Sequence, residues 1–127
     1  MQTTLTPRRP SATVRAGLDA CRVEVLRDLA DLAADADPRA VRARARVYER
    51  VRTDLERFGL AAALARAAAS YKLVPIVPPR LIGRHPAARA RAQAFERVFE
   101  AAGVDPWEIE RMRRVRPRFV DDPPAAS

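Results

Sequence analysis

Apolar residues recur at helical spacing along most of the chain. In the first such segment they are three or four residues apart, at Val14, Leu18, Cys21, Val25, Leu29 and Leu32. At 100° per residue these positions fall within about 80° of one another, which makes one apolar stripe. The hydroxyls of Ser11 and Thr13 are suited to cap the start of such a helix. The pattern predicts a first helix over residues 13–36.

In the segments that follow, Asp-Pro marks the start of a helix and Gly marks its end. Asp37 fits an N-cap and Pro38 the first helical position, where no N–H donor is required. Gly59 is placed to end that helix in a left-handed conformation. We therefore expect a second helix over 38–58, followed by a short Ala-rich helix over 60–71. The third helix has a face of small residues and must pack closely on its neighbours.

The second half of the chain predicts two further helices. One covers 86–102 and stops at Gly103, and the other covers 106–116 and starts at Asp105-Pro106. Between the third and fourth helices, the apolar segment 73–82 contains three prolines, which favour an extended strap. The fold class is all-α with about five helices. We expect flexible tails at 1–12 and 121–127 around one helical domain at 13–120.

Composition excludes several classes of protein. Apolar residues make up 48% of the 127 residues, so the chain is not wholly disordered. With Cys21 and His85 as the single cysteine and histidine, a disulfide framework and a Cys/His zinc site are excluded. No Gly-rich phosphate loop and no Ser-His-Asp arrangement is evident. We expect no enzyme activity, no cofactor, no metal and no membrane span, and a cytoplasmic location.

The net charge of +8 is concentrated in the middle of the chain. Of the 24 basic residues only Lys72 is lysine, which is consistent with GC-rich coding DNA as well as with selection for arginine. Residues 37–59 carry a net charge of +3 and residues 60–86 a net charge of +4, whereas residues 1–36 are neutral. The window 57–95 contains no acidic residue.

Five arginines of the predicted second helix fall within about 80° of one another, opposite its apolar face. We call this set the arginine rail: Arg39, Arg42, Arg46, Arg50 and Arg57. Guanidinium groups in such a row suit phosphate oxygens, which predicts a nucleic-acid partner. Further arginines would extend the surface: Arg80, Arg84, Arg89, Arg111, Arg113, Arg114 and Arg116. A solvated face on an Arg-rich protein, or an acidic protein partner, remains the alternative.

Residues 95–114 resemble a helix-turn-helix, with Gly103 at the turn. Val98, Ala102, Val104, Ile109 and Met112 occupy the positions that are apolar in that motif. Trp107, Glu110, Arg111 and Arg114 would then project from the second helix. Phe99 departs from the pattern, because the two helices usually cross over a small residue there. An ordinary helical hairpin is the alternative.

The run from His85 to Pro106, HPAARARAQAFERVFEAAGVDP, looks like the C-terminal segment of some phage small terminase subunits. The segment 46–60 is loosely similar to the middle of those proteins. The resemblance implies DNA binding and ring-like homo-oligomers. The Pro-rich strap stands where that family has a longer linking segment.

The strap also supports a different class of function. Its apolar residues favour an assembly or adaptor subunit that docks on a protein partner through the strap and the Ala-rich helix. The partner-binding residues would be Leu73, Pro75, Ile76, Pro78, Pro79 and Leu81.

Overall fold

The computed structural model describes residues 7–30 and 37–119. These residues form five α-helices: α1 (Ser11–Ala30), α2 (Pro38–Phe58), α3 (Leu60–Leu73), α4 (Pro86–Ala101) and α5 (Pro106–Arg114). Within the described ranges, the extended pairing is one isolated parallel bridge between Ile76 and Arg118. The all-α prediction is therefore confirmed.

The helix ends lie close to where Asp-Pro and Gly place them. Asp37 and Asp105 each accept a hydrogen bond at 2.9 Å from the backbone N–H two residues further on, as N-caps do. Gly59 and Gly103 have φ of 85° and 72°, a left-handed region that disfavours every residue with a Cβ. The chain can therefore turn sharply after α2 and after α4.

The predicted bounds differ from the observed ones by one or two residues. α1 begins at Ser11 because the Pro10 carbonyl already accepts the N–H groups of Thr13 and Val14, and the predicted extension over 31–36 lies outside the described residues. α3 continues to Leu73, and α4 ends one residue early at Ala101. α5 ends at Arg114 rather than at 116, since the next two amides bond to carbonyls three residues back and tighten the last turn.

Helices α1 and α2 run in opposite directions and share the core with α4. Asp19 pairs with Arg52, and Cys21 lies beside Tyr48 one turn earlier in α2. Gly17 of α1 is so close to α4 that an added Cβ would lie 3.1 Å from the Ala101 Cβ. A glycine at this position lets the two backbones approach. The buried Cys21 is a core residue, as the sequence predicts.

The Ala-rich helix α3 packs closely, as its small face predicts. Its buried residues are Ala63, Leu64, Ala67, Ala68 and Tyr71. The Tyr71 ring is completely buried and meets the rings of Phe95 and Phe99 edge-on, with centroids 6.3 and 5.5 Å away. This aromatic cluster joins α3 to α4, and edge-to-face pairs of this kind contribute about 0.5–1.5 kcal/mol beyond burial.

The strap is shorter and less buried than the sequence predicts. Leu73 belongs to α3, and residues 79–81 form a turn of 3₁₀ helix, so the extended part is confined to the residues between them. Val74 and Leu81 are buried, but Leu73 is 76% exposed and Ile76 40% exposed. The segment therefore covers the core with only some of its apolar side chains.

The strap is held by residues that follow α5. The Arg116 guanidinium donates hydrogen bonds to the carbonyls of Val74 and Pro75, at 2.9 and 3.1 Å. Ile76 donates its N–H to the Pro117 carbonyl and accepts one from Phe119. Because prolines lack N–H donors, this stretch cannot form a ladder of its own and depends on these contacts.

Residues 7–10 lie against the turn between α4 and α5. The N–H groups of Arg8 and Arg9 both donate to the Ala102 carbonyl, at 3.1 and 3.2 Å, and the Arg8 side chain pairs with Asp105. Ser11 and Ala12 of the predicted first tail already belong to α1, and residues 1–6 and 121–127 lie outside the described ranges. None of the described helices is long and apolar enough to cross a membrane.

Candidate nucleic-acid interface

The arginine rail lies on the exposed side of α2. All five of its arginines are exposed, and the buried residues Val41, Val47, Tyr48, Val51 and Leu55 occupy the opposite side of the helix. Arg39 pairs with Asp37 at 3.1 Å. The other four form no ion pair with any residue that the structure describes. From first to last the rail extends about 27 Å at 1.5 Å per residue.

Two of the three acidic residues of α2 are held away from the rail by ion pairs. Glu56 pairs with Arg52, on the flank of α2 that faces α1, and Arg52 also binds Asp19 at 3.0 Å. Asp54 is buried and accepts a hydrogen bond from Arg66 at 3.1 Å. Glu49 stays exposed at the edge of the rail. Glu49 is therefore the acidic residue of α2 that stays beside the rail and offsets part of its positive charge.

Both ends of the rail adjoin the acid-free window. At the first end, the Arg39 side chain reaches the Gly83 carbonyl at 3.5 Å, which brings the α3–α4 loop beside the start of α2. At the other end, the Arg66 guanidinium lies 4.9 Å from the centre of the exposed Phe58 ring. The loop that carries Arg80 and Arg84 thus lies beside the first end of the rail, whereas Arg66 at the other end is already paired with Asp54.

The remaining predicted arginines divide into two groups. Arg80, Arg84, Arg89 and Arg111 are exposed and form no ion pair within the described ranges. Together with the four unpaired rail residues they make eight free guanidinium groups: Arg42, Arg46, Arg50, Arg57, Arg80, Arg84, Arg89 and Arg111. We call this set the free arginines.

The other four of the twelve predicted arginines, including Arg39 of the rail, form contacts within the chain. Arg39 pairs with Asp37, and Arg116 binds the strap carbonyls. Arg113 donates hydrogen bonds to Glu96 at 3.0 Å and to Glu110 at 2.6 Å. Arg114 pairs with Glu110 at 3.5 Å. Arg116 also lies 5.1 Å from the centre of the Tyr71 ring. These contacts make Arg39, Arg113 and Arg116 weaker candidates for ligand contacts. Arg114 stays 67% exposed beside its 3.5 Å pair and remains accessible to a ligand.

The pKa values in this region follow the same contacts. Hydrogen bonds from the Arg39 side chain and backbone lower the pKa of Asp37, which keeps this N-cap ionised. Partial burial lowers the pKa of Arg113, but the hydrogen bond and charge of Glu96 outweigh it, so its pKa is raised overall. Both shifts favour the charged form, of Asp37 in the first case and of Arg113 in the second.

The turn predicted at Gly103 joins helices α4 and α5. Every position that is apolar in the helix-turn-helix pattern is buried, from Val98 to Met112. On the outer side Trp107 is 61% exposed, Arg111 and Arg114 are exposed, and Glu110 is half-buried. Phe99, the residue that departs from the pattern, is fully buried and packs its ring against Tyr71 of α3. Sequence-specific DNA contact by α5 stays a prediction.

Sequence reasoning missed a network that joins three helices. The Tyr71 hydroxyl donates to Glu96 at 2.8 Å, and Glu96 also accepts from Arg113. Beside it lies an open cleft of about 340 Å³, bounded by the strap and by residues of α4 and the end of α5, among them Arg89, Arg113 and Arg116. These residues are far apart in the sequence, and no periodicity connects them.

The structure separates the predicted partner-binding residues of the strap. Leu73, Ile76 and Pro79 are exposed, Pro75 and Pro78 are half-buried, and Leu81 is buried. Leu81 is therefore inaccessible to a partner in this conformation, which corrects its inclusion in the predicted set. The carbonyl of its neighbour Pro79 accepts a hydrogen bond from Ile82, and this tight turn draws Leu81 inward.

Comparison with known proteins finds no protein family, no curated protein and no solved structure that matches this chain. The resemblance to phage small terminase subunits accordingly stays a prediction. Within the described residues, no group of three or more His, Cys, Asp and Glu side chains is arranged to hold a metal ion.

Proposed function

We propose that the protein binds nucleic acid through the phosphate backbone, with the free arginines as its main contacts. The proposal rests on the absence of internal partners for these groups. All eight guanidinium groups are exposed and lack an acidic partner among the described residues. Exposed ion pairs would occupy these groups if the surface served only solubility. Elsewhere on the same molecule Arg52, Arg66 and Arg113 are paired in that way.

The spacing of the rail suits a regular polyanion. Arg42, Arg46 and Arg50 are four residues apart, so consecutive guanidinium groups start about 6 Å apart along one side of α2. Like charges at this spacing repel one another unless a polyanion lies alongside them. Phosphates arranged along a strand supply that charge, and each contact releases condensed counterions.

The salt dependence of binding tests this proposal. Replacement of Arg42, Arg46 and Arg50 by Gln should make the slope of log K against log salt less steep by about 2.7 on duplex DNA, at about 0.9 per lost contact. Filter binding across a series of salt concentrations measures the slope. Because these side chains are exposed, thermal melting should remain unchanged.

Arg15 provides the matched control. Arg15 is exposed and forms no ion pair with a described residue. It lies one helical turn before Asp19, which pairs with Arg52, so it is on the side of α1 near Arg52 and away from the rail. Arg15→Gln removes the same charge as Arg46→Gln but should leave the slope unchanged. If both variants change the slope equally, binding depends on the net charge of the protein and not on the position of the rail. Absence of binding at low salt would exclude the proposed function altogether.

A protein-binding role is the second candidate, and it is favoured by exposed apolar side chains at one end of α3 and α5. Leu73 is 76% and Val115 63% exposed, and Val115 lines a shallow cleft together with Lys72. Sedimentation of the wild-type chain and of Leu73→Ser tests this role. A monomer at all concentrations, alone and with candidate partners, would count against it.

A further inference from the structure

Trp107 is the largest apolar side chain that α5 leaves in solvent. It is 61% exposed, whereas Ile109 and Met112 of the same helix are 5% and 2% exposed. None of the ring–ring or cation–ring contacts found among the described residues involves it. A tryptophan usually buries a large area and pairs its indole N–H, so an indole left free in solvent is unusual for a core-forming residue.

The charges around Trp107 are positive. At 100° per residue Trp107, Arg111 and Arg114 fall within about 60° of one another, so the ring shares its side of α5 with two guanidinium groups. Arg111 belongs to the free arginines, and Arg114 is 67% exposed even though it pairs with Glu110. A cation and an aromatic ring one helical turn apart can act on one ligand.

The acidic residues of α5 leave this face largely available to an anion. Asp105 caps the helix and pairs with Arg8 at 3.1 Å. Glu110 is shared between Arg113 and Arg114. Glu108 is about 100° from Trp107 around the helix and lines a cleft with two cations, Lys72 and Arg111. These carboxylates therefore oppose a phosphate less than their number in the sequence suggests.

We propose that Trp107 stacks on an unpaired base of single-stranded nucleic acid, whose adjoining phosphates bind Arg111 and Arg114. The inference rests on the proposed function and narrows its substrate class. Bases in a duplex stack on each other and hide their π-faces, whereas a single strand offers them to an aromatic ring. The companions of Trp107 on its face are arginines rather than apolar residues, which fits a nucleotide better than a protein surface.

Tryptophan fluorescence can report on binding at this site, because Trp107 is the single tryptophan of the protein. We expect an oligothymidylate to quench the intrinsic fluorescence, and a hairpin duplex of equal length to bind with little quenching. Trp107→Ala should weaken binding of the oligothymidylate by roughly 10- to 100-fold, the loss of one stacked base. Trp107→Phe keeps an aromatic ring and should retain most of the affinity.

Val115→Ala is the control, since Val115 is an equally exposed apolar residue at the other end of α5, where it follows the last helical residue. It should leave binding of the oligothymidylate unchanged. Unaltered affinity of Trp107→Ala, or equal quenching by the duplex, would overturn the stacking inference. An emission shift that depends on protein concentration without nucleic acid would do the same, since it would place Trp107 in a protein interface.

These outcomes distinguish the inference from the proposed function. If the oligothymidylate binds with a steep salt dependence that the rail variants reduce, but without quenching, the proposed function stands and the role of Trp107 falls. If neither probe binds at low salt, both fall.

Discussion

The two buried tyrosines allow one chemical change to be tested in two environments. Tyr48 and Tyr71 are 1% and 0% exposed. The Tyr71 hydroxyl donates to the Glu96 carboxylate at 2.8 Å. The Tyr48 hydroxyl lies beside the Cys21 thiol and has no nitrogen or oxygen partner among the described residues. Replacement by Phe removes only the hydroxyl oxygen in each case.

The expected effects have different magnitudes. A hydrogen bond to a charged group contributes about 1.5–3 kcal/mol. Glu96 keeps its bond from Arg113 at 3.0 Å in Tyr71→Phe, so it is not left unpaired, and we expect a loss near the lower limit, about 1.5 kcal/mol. Tyr48→Phe removes a buried hydroxyl that lacks a strong partner, and we expect no loss, or a gain of up to about 1 kcal/mol.

Urea unfolding followed by circular dichroism measures both free energies. A Glu96→Gln background completes the double-mutant cycle, in which Tyr71→Phe should lose much of its effect because the acceptor is no longer charged. Equal destabilisation by Tyr48→Phe and Tyr71→Phe would refute the reasoning, since it would show that packing of the oxygen, and not the bond to Glu96, determines the effect.

Two further predictions concern pH and glycine. Burial raises the pKa of Tyr48 to about 12, so the folded state keeps a proton that the unfolded chain releases near pH 10. Stability should therefore fall as the pH rises from 10 to 12, by up to about 1.4 kcal/mol per pH unit, and Tyr48→Phe should remove that part of the slope in alkaline melts. Gly103→Ala should cost roughly 1–2 kcal/mol, because φ is 72° and the new Cβ would lie 3.1 Å from the Arg9 Cγ. Gly83→Ala, which meets open space, should leave the melting temperature within a few degrees of wild type, and a similar loss at both glycines would contradict this explanation.

Local chemistry made much of the fold predictable. Asp37 and Asp105 cap helices through their own side chains, and Gly103 turns the chain through its own φ, so each signal acts within a few residues. The exposed side of α2 was predictable for a similar reason, since helical periodicity alone turns Arg42 and Arg46 away from Val47.

The contacts that periodicity could not predict join distant segments. Arg113 and Arg116 appear in the sequence as equal members of a basic run, yet one binds Glu96 and the other the strap carbonyls. The sequence also places Leu73 in the strap, whereas the structure makes it the last residue of α3. Which arginines remain free depends on tertiary pairing, and this is the part of the candidate interface that required the structure.

The clamp of Arg116 on the strap has a consequence for motion. Its guanidinium binds two carbonyls of the strap, and the residues beside it exchange backbone bonds with Ile76. Neither segment can leave the helices without releasing the other. The two should therefore open as one unit, with a free energy of opening lower than that of unfolding the core. The amides of Ile76 and Phe119 would then exchange with deuterium at a common rate, although they lie at opposite ends of the second half of the chain.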